Sequence, residues 1–347
     1  MVFELTDELI TYDPSDERLV IDCISNLLLG YYESSHMLMA SPIVCSFFAQ
    51  LITEDRAAKA LYHLGNNNNI QPDVLWTIKI RLDNNLVDLS TELPISFFQK
   101  TKSIQPAILL CENLLDTKFY IRLCKEYHYH DNISIYGMMG GGQTTKDVFK
   151  SLRKERQIAL TILDSDIRYP GCPIGGTAQK VSICNKNQLA FTGLYILNVH
   201  EIENLIPSDF LKEHCIKDAK KFIGRLLSKN LISYLRYYDI KYGMITKDVV
   251  ATPGLKSYAE QLYDDLYPSS KGAFGGHLAI CINNDKLAAK NQQALPGVFP
   301  AIKSSMLEDF LNSSSTISRA DIFEPDRRYI ADLIYTYACA RGRDVIM

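Results

Sequence analysis

Residues 106–116, PAILLCENLLD, and residues 158–166, IALTILDSD, decide the fold. Each is a short apolar run that ends in a carboxylate, Glu112 in the first and Asp164 in the second. Helical patterns stand between these runs, and such alternation is typical of βαβ units with a mostly parallel sheet. We therefore predict an α/β fold for this part of the chain.

The surrounding sequence extends the same pattern. The predicted strands are residues 106–111, 133–139, 158–163 and 195–199, and the predicted helices are residues 115–127 and 145–156. Right-handed crossovers bring the carboxyl ends of parallel strands to one edge of a sheet, where α/β proteins place their ligands. The acidic residues that follow the strands are therefore expected at this edge.

Net charge and the pattern of apolar residues together predict three domains in the chain. Residues 1–100 hold 6 basic and 14 acidic residues, a net charge of −8, and their pattern predicts a mostly helical domain. A helical stretch over residues 18–64, the asparagines at 66–69 and a linker at 94–102 lead to the α/β unit, residues 104–207. Residues 208–347 form a basic, helical extension, with a loop-like part at 268–298 and a final helix near 327–341. Nucleic acid would be repelled by the first domain and tolerated by the rest.

Composition excludes several classes of protein. Of 347 residues, 47% are apolar and 22% are charged, which is typical of a folded chain. No continuous apolar run reaches the roughly 20 residues that span a bilayer, and the first residues lack a secretory pattern, so we expect a cytoplasmic protein with no membrane contact. The nine cysteines show neither zinc-site nor disulfide spacing, and we expect most to be buried.

Two acidic motifs follow the predicted strands. Glu112 ends the first strand, and Asp116 lies four residues on, at the start of a helix. Asp164 and Asp166 are two apart, so an extended backbone would point both carboxylates to one side, where they could share a cation. The alternatives are a favourable helix dipole for the first pair and a solvated turn for the second.

Two further motifs lie in the same unit. Residues 194–207, LYILNVHEIENLIP, carry Glu201 and Glu203 after a predicted strand, where a helix start is the alternative reading. Residues 133–149, ISIYGMMGGGQTTKDVF, place three glycines between a strand and a helix. Glycines there allow the backbone to approach a phosphate or a facing acidic loop closely.

In their order and their spacing of about fifty residues, these motifs resemble the TOPRIM fold of topoisomerases, bacterial primases and OLD-family nucleases. The HEIEN segment is similar to TOPRIM nucleases of phage-defence systems, which act beside an ABC-type or SMC-like ATPase. The resemblance implies a nuclease that uses Mg²⁺ or Mn²⁺ to cut DNA or RNA. One departure is Asn113, where the family has glycine; asparagine tolerates the left-handed conformation.

The resemblance also implies roles for individual residues. Glu112 would be a metal ligand or general base, and the other carboxylates would bind two cations that stabilise the attacking and leaving oxygens. The implied metal ligands are Glu112, Asp116, Asp164, Asp166, Glu203 and Glu201. Lys241 or Lys247 could support the charge of the transition state, although each could also be a surface lysine.

The basic stretch at residues 212–247 contains nine basic residues with aromatic residues between them. It could bind phosphates and stack bases, or it could be a solvated helix face over buried tyrosines. No base-reading motif distinguishes DNA from RNA.

Two other functions remain open. Residues 137–144 match the phosphate-binding loop of nucleotide-binding proteins except that Gln143 replaces the lysine, so the chain could be a nucleotide-binding module. A non-catalytic TOPRIM scaffold, with its acidic domain bound to a partner protein, is the third reading. The cluster at His128 and His130 could suggest zinc, but a helix end at the surface explains it equally.

Overall fold

The computed structural model describes residues 1–66, 72–290, 297–317 and 319–341, and it has an α/β fold with two sheets. The strands are β1 Val2–Leu5, β2 Met37–Ala40, β3 Ile78–Arg81, β4 Glu92–Pro94, β5 Ala107–Cys111, β6 Ile135–Met139, β7 Ala159–Leu163 and β8 Thr192–Ile196. The helices are α1 Glu17–Tyr32, α2 Pro42–Phe48, α3 Asp55–Asn66, α4 Leu114–Tyr127, α5 Thr145–Lys154, α6 Gly176–Cys184, α7 Ser208–His214, α8 Lys217–Ser228, α9 Thr246–Ala251, α10 Pro253–Leu266, α11 Phe274–Lys290, α12 Met306–Asn312 and α13 Glu324–Ala338.

Packing divides the chain into two compact units. The first consists of Met1–Leu163, Lys180–Tyr195 and Arg328–Met347, and the second consists of Asp164–Gln179 and Ile196–Arg327. The predicted boundaries near residues 100 and 207 do not coincide with this division. No helix among the described residues has the length and apolar character needed to cross a bilayer.

The sheet predicted from the central motifs lies in the first unit. Its strand order is β6-β5-β7-β8, and β5 pairs in parallel with both β6 and β7. Every residue of β7 is buried, as expected for a parallel strand that is covered on both faces. The predictions for β5, β6 and β7 and for α4 and α5 are confirmed, whereas β8 begins three residues before its predicted start.

A second sheet in the first unit corrects the prediction of a mainly helical N-terminal domain. The helical stretches α1, α2 and α3 are present, but β1 to β4 form a parallel sheet in the order β2-β1-β3-β4. These strands have only three or four residues. Periodicity cannot separate such short apolar runs from helical segments. Of the asparagine stretch, residues 67–69 lie outside the described residues.

The predicted linker at residues 94–102 is wrong. The segment forms short 3₁₀ helices, at Ile95–Gln99 and Thr101–Ile104, and its aromatic residues are buried. Phe98 packs edge-on against Phe3 with ring centroids 5.1 Å apart, and Phe97 lies 5.0 Å from Phe191. Two adjacent phenylalanines bury too much apolar area to remain in a solvated connection.

The C-terminal part of the chain is helical, as predicted, but its details differ. The long helical pattern after residue 208 is divided into α7, α8 and a 3₁₀ helix at Ile232–Tyr237. The loop predicted at residues 268–298 is wrong over α11, and residues 291–296 lie outside the described residues. The final helix, α13, is confirmed. All nine cysteines are free, and seven of them are buried, as expected.

His36 gives the first unit a pH-dependent stability. Its side chain is buried, and Nε2 lies 2.9 Å from the Leu27 carbonyl oxygen. Burial lowers the pKa of His36 from 6.5 to about 3. The unfolded chain therefore binds a proton below about pH 6.5 that the folded chain excludes, so stability falls as the pH decreases from 6.5 towards 3.

We expect the free energy of unfolding to be about 2 kcal/mol lower at pH 5 than at pH 7 because of His36. Urea denaturation at the two pH values measures this difference. The variant His36→Leu has no titrating group at this position. Its free energy of unfolding should therefore decrease between pH 7 and pH 5 by about 2 kcal/mol less than that of the wild type. An equal decrease in the free energy of unfolding of the wild type and the variant would show that His36 is not the cause.

Candidate functional site

Glu112 and Asp116 lie in the first unit, between β5 and α4. Glu112 directly follows β5 and is half-buried. Asn113 is extended, with φ −125° and ψ 161°, so this position does not require the left-handed conformation that glycine would provide. Asp116 is buried, and its Oδ2 accepts a hydrogen bond of 2.9 Å from the Asn113 amide. Asp116 therefore caps α4, whatever further role it has.

The glycine turn in the first unit follows β6. The Gly140 amide donates to the Cys111 carbonyl oxygen at 2.7 Å, and the Gly141 amide donates to the Glu112 carbonyl oxygen at 3.0 Å. Gly141 has a φ of +75°, which explains a glycine there. A phosphate-binding loop needs its amides to point at the phosphates. Two of them are already hydrogen-bonded here, which disfavours the nucleotide-binding reading.

Asp164 and Asp166 begin the second unit. The Asp164 Oδ1 atom accepts a hydrogen bond of 3.0 Å from the Ile202 amide, and Ser165 Oγ donates to the Val199 carbonyl oxygen at 2.5 Å. The Asp166 amide donates to the His200 carbonyl oxygen at 2.9 Å. These bonds join the DSD segment to the HEIEN segment, so the two acidic motifs lie together.

The backbone of residues 164–166 differs from the extended conformation that was predicted for it. Asp166 has a φ of +55°, in the left-handed region, so the segment is not extended and its two carboxylates do not share a side for the predicted reason. Asp166 is exposed, and Asp164 is half-buried. Both remain predicted metal ligands.

Gly175 packs directly against the Asp166 side chain. A Cβ atom at Gly175 would lie 1.9 Å from Asp166 Oδ2, and the Gly175 amide donates to the Ser165 carbonyl oxygen at 2.8 Å. We expect Gly175→Ala to displace the Asp166 carboxylate and to cost about 1–3 kcal/mol of stability. Thermal denaturation measures the loss, and Gly176→Ala is the control because open space surrounds Gly176. Equal stability of the two variants would show that Asp166 moves away at no cost.

Glu201, Glu203 and Lys241 form a buried ion-paired group in the second unit. The Lys241 Nζ atom lies 3.0 Å from Glu201 Oε2 and 2.9 Å from Glu203 Oε1. Both glutamates are buried, with 7% and 2% of their surface exposed. Lys241 therefore lies between the carboxylates that were predicted to hold a second cation. Its contacts are those of a counter-ion within the site.

Asn204 holds the HEIEN segment in place. Its Oδ1 accepts a hydrogen bond of 2.7 Å from the Glu201 amide, and its Nδ2 donates to the carbonyl oxygens of Leu235 at 2.6 Å and Tyr238 at 2.7 Å. Asn204 is fully buried. Three hydrogen bonds from one buried side chain fix the backbone that presents the two glutamates.

His200 and Asp239 extend the group. One ligand atom from each of His200, Glu201 and Asp239 lies within 4.8 Å of the others, so these side chains could hold a metal ion. His200 Nε2 lies 3.9 Å from Asp239 Oδ2, while His200 Nδ1 is buried and has no hydrogen-bond partner among the described residues. Sequence reasoning missed both residues. The only signal was the position of His200 next to Glu201.

We refer to Glu201, Glu203 and Asp239 as the acidic cluster, and we include Asp164 because its carboxylate is hydrogen-bonded to the amide of Ile202, the residue between the two glutamates. One cluster atom, Glu203 Oε2, is buried and has no hydrogen-bond partner among the described residues. An unpaired carboxylate oxygen inside a protein is costly, and a bound cation is one way to satisfy it.

Burial and neighbouring charges shift the pKa values of two members of the acidic cluster and of Lys241. Burial and the Glu203 carboxylate raise the pKa of Glu201 to about 7. Burial acts to lower the pKa of Lys241, but the two glutamates outweigh it and raise this pKa. Burial opposes the ionisation of Asp239, yet neighbouring His200 and the Tyr242 amide hold its pKa below the usual value. The site thus concentrates negative charge that one ammonium group does not balance.

Comparison with known proteins leaves the family open. The chain matches no protein-family model, no curated protein and no solved structure. The resemblance to TOPRIM nucleases therefore rests on the sequence motifs at Glu112, Asp164 and Glu201 alone.

Other predicted functional groups have local roles. In the basic stretch, Phe222 and Tyr238 are buried, so neither is available to stack on a base, whereas Tyr242 is 66% exposed. His128 ends α4, and its Nε2 lies 2.9 Å from Asp332 Oδ1. That contact explains the histidine without zinc.

Proposed function

We propose that the chain is a metal-dependent nuclease whose metal is held at the acidic cluster. The observation that carries the proposal is the hydrogen bond from the Ile202 amide to Asp164. It brings a carboxylate from the DSD segment next to the residues that flank Ile202, Glu201 and Glu203. Three acidic residues from two distant motifs thus meet at one short segment of backbone.

The chemistry of these groups favours a hard divalent cation. Carboxylate oxygens are the ligands that Mg²⁺ and Mn²⁺ prefer. The residues fit such an ion, because Glu203 Oε2 is a buried oxygen without a hydrogen-bond partner in the described part of the chain, and because the carboxylates outnumber the single ammonium of Lys241. A phosphodiester is itself an anion. It would be repelled by the acidic cluster unless a cation lay between them.

Each residue then has a role in the proposed reaction. Asp164, Asp166 and Glu203 would ligate the cation, with Glu201 as a further ligand. Lys241 orients the two glutamates through its ion pairs. For Glu112 and Asp116, which lie in the first unit, we keep the roles that the resemblance implies: Glu112 as metal ligand or general base, and Asp116 as metal ligand. When bound, the divalent cations would stabilise charge on the attacking and leaving oxygens.

The substrate and the partner are part of the same proposal. We propose DNA or RNA as the substrate, because a phosphodiester needs the charge compensation described above. A companion ATPase of the ABC or SMC type would regulate cutting, as the resemblance to phage-defence nucleases implies. The acidic residues 1–100 would face that protein rather than the substrate, since their net charge of −8 repels phosphates.

The proposal is tested by incubating the purified chain with single-stranded DNA, duplex DNA and RNA. We expect loss of at least one substrate in the presence of Mg²⁺ or Mn²⁺ and none after chelation with EDTA. The variants Glu112→Ala and Asp164→Ala should be inactive. Cleavage that persists in both variants, or in EDTA, would exclude the proposed site.

A further inference from the structure

A cavity of about 240 Å³ lies in the first unit, beside the edge strand β8 and helix α13. Four aromatic side chains line it, and they are Trp76, Tyr195, Tyr329 and Tyr337. The Trp76 and Tyr337 rings meet edge to face, with centroids 6.0 Å apart, and the Tyr195 and Tyr329 rings lie 5.4 Å apart. None of these residues belongs to the acidic cluster.

The lining of this aromatic cavity is uncharged. Besides the aromatic rings it consists of aliphatic residues, glycine and polar side chains such as Ser90, Asn185 and Gln188. Tyr329 is 45% exposed, so one wall of the cavity is open to solvent. An ion would gain no charged partner from this lining. A neutral, flat and largely apolar molecule would bury its surface against the rings.

Thr192 provides an unpaired polar group at the wall of the aromatic cavity. It lines the cavity and is 3% exposed, and its Oγ1 atom is buried without a hydrogen-bond partner among the described residues. Buried hydroxyl groups are nearly always paired, because an unpaired one loses its hydration without compensation. A ligand with a hydrogen-bonding edge would pair with it.

We propose that the aromatic cavity binds an uncharged heteroaromatic ring of the nucleobase type. Such a ring combines a flat face, which stacks on tyrosine and tryptophan, with a polar edge, which can pair with Thr192. The cavity is smaller than the roughly 300–1,000 Å³ of sites for drug-sized ligands, so it suits one or two fused rings. The sugar and any phosphate remain outside. This site does not depend on the proposed nuclease activity.

Trp76 reports binding directly, because it is the only tryptophan in the chain. Adenosine, guanosine, cytidine and uridine are titrated into the full chain without metal while the indole fluorescence is recorded. We expect a saturable change with at least one nucleoside and none with ribose 5-phosphate, which lacks the base. The absence of a saturable change with every nucleoside up to millimolar concentration would overturn the proposal.

Thr192→Val tests the polar contact, because valine keeps the shape and removes the hydroxyl. We expect it to weaken nucleoside binding about tenfold, the cost of about one buried hydrogen bond. The matched control is Thr161→Val. Thr161 is also buried, and its Oγ1 has no hydrogen-bond partner within the described ranges, but it does not line the aromatic cavity. Equal affinities of the two variants would overturn the role of Thr192.

A second pair of variants tests whether the aromatic rings of the cavity hold the ligand. Both variants replace an exposed tyrosine, so neither substitution disturbs the core. Tyr329→Ala removes a half-exposed ring of the aromatic cavity and should weaken binding severalfold. Tyr62→Ala removes a 76% exposed tyrosine elsewhere in the first unit and should leave binding unchanged. If Tyr329→Ala binds as tightly as Tyr62→Ala, the rings do not hold the ligand and the proposal fails.

The source of the base is settled by a further comparison. Single-stranded oligonucleotides are titrated against the wild type and Thr192→Val under the same conditions. Tighter binding than that of the nucleosides, with the same loss in Thr192→Val, would assign the cavity to a base of a nucleic-acid strand. Binding of nucleosides alone would assign it to a free metabolite. The proposal would be overturned if no nucleoside bound and if oligonucleotides bound the wild type and Thr192→Val with equal affinity.

Discussion

Replacing Asp164 by asparagine is expected to lower the rate of metal-dependent cleavage by at least about a thousandfold, because the site loses a charged cation ligand. Asparagine retains an oxygen that can accept the hydrogen bond from the Ile202 amide. The fold should therefore survive, and the loss should fall on the reaction alone. Single-turnover cleavage at saturating Mn²⁺ measures the rate.

The control for this variant is Asp147→Asn, which removes an exposed carboxylate from α5. It makes the same chemical change at a position outside the acidic cluster, so its rate should equal that of the wild type. Matching thermal unfolding of the two variants would exclude misfolding as the cause. A rate for Asp164→Asn within a few-fold of the control would contradict the role of Asp164.

Replacing Lys241 by methionine is expected to reduce the free energy of unfolding by about 3–5 kcal/mol, because two buried carboxylates lose their common counter-ion. Lys241 Nζ is within 3.0 Å of an oxygen of both Glu201 and Glu203. Methionine fills a similar volume without the charge. Urea denaturation at about pH 9 without divalent metal measures the loss, because this pH is above the pKa of Glu201.

Two comparisons separate this effect from a loss of packing. Lys247→Met changes an exposed lysine of the same unit and should alter stability by less than about 0.5 kcal/mol. Adding Glu203→Gln to Lys241→Met removes one of the unpaired charges and should restore part of the stability. If the double variant is less stable than Lys241→Met by the full cost of Glu203→Gln alone, charge repulsion is not the cause.

The parts of the fold that the sequence predicts are those with long, unambiguous patterns. β5, β6 and β7 are five residues each and largely apolar, and the helices α4 and α5 carry clear periodicity. The sheet of β1 to β4 was not predicted because its strands are too short to show a period. The loop prediction over α11 failed because glycines near its start outweighed the helical pattern that follows.

In the candidate site too, some residues could be predicted from local sequence signals and others could not. The positions of Asp164, Glu201 and Glu203 after strands could be read from the sequence, since acidic residues after apolar runs are a local signal. Their partners are set by tertiary contacts. Lys241 lies 38 residues beyond Glu203 along the chain, and only the fold makes it their counter-ion. Asn204 looks like an ordinary polar residue until its three backbone partners are known.

The most direct test of the acidic cluster is anomalous scattering from crystals of the protein soaked in Mn²⁺. We predict a manganese peak bonded to the carboxylates of Asp164 and Glu203. A peak bonded only to His200, Glu201 and Asp239 would place the metal at those side chains and would show that Asp164 is not a metal ligand. Crystals without a peak at the acidic cluster in millimolar Mn²⁺ would contradict the proposal of a metal-dependent nuclease.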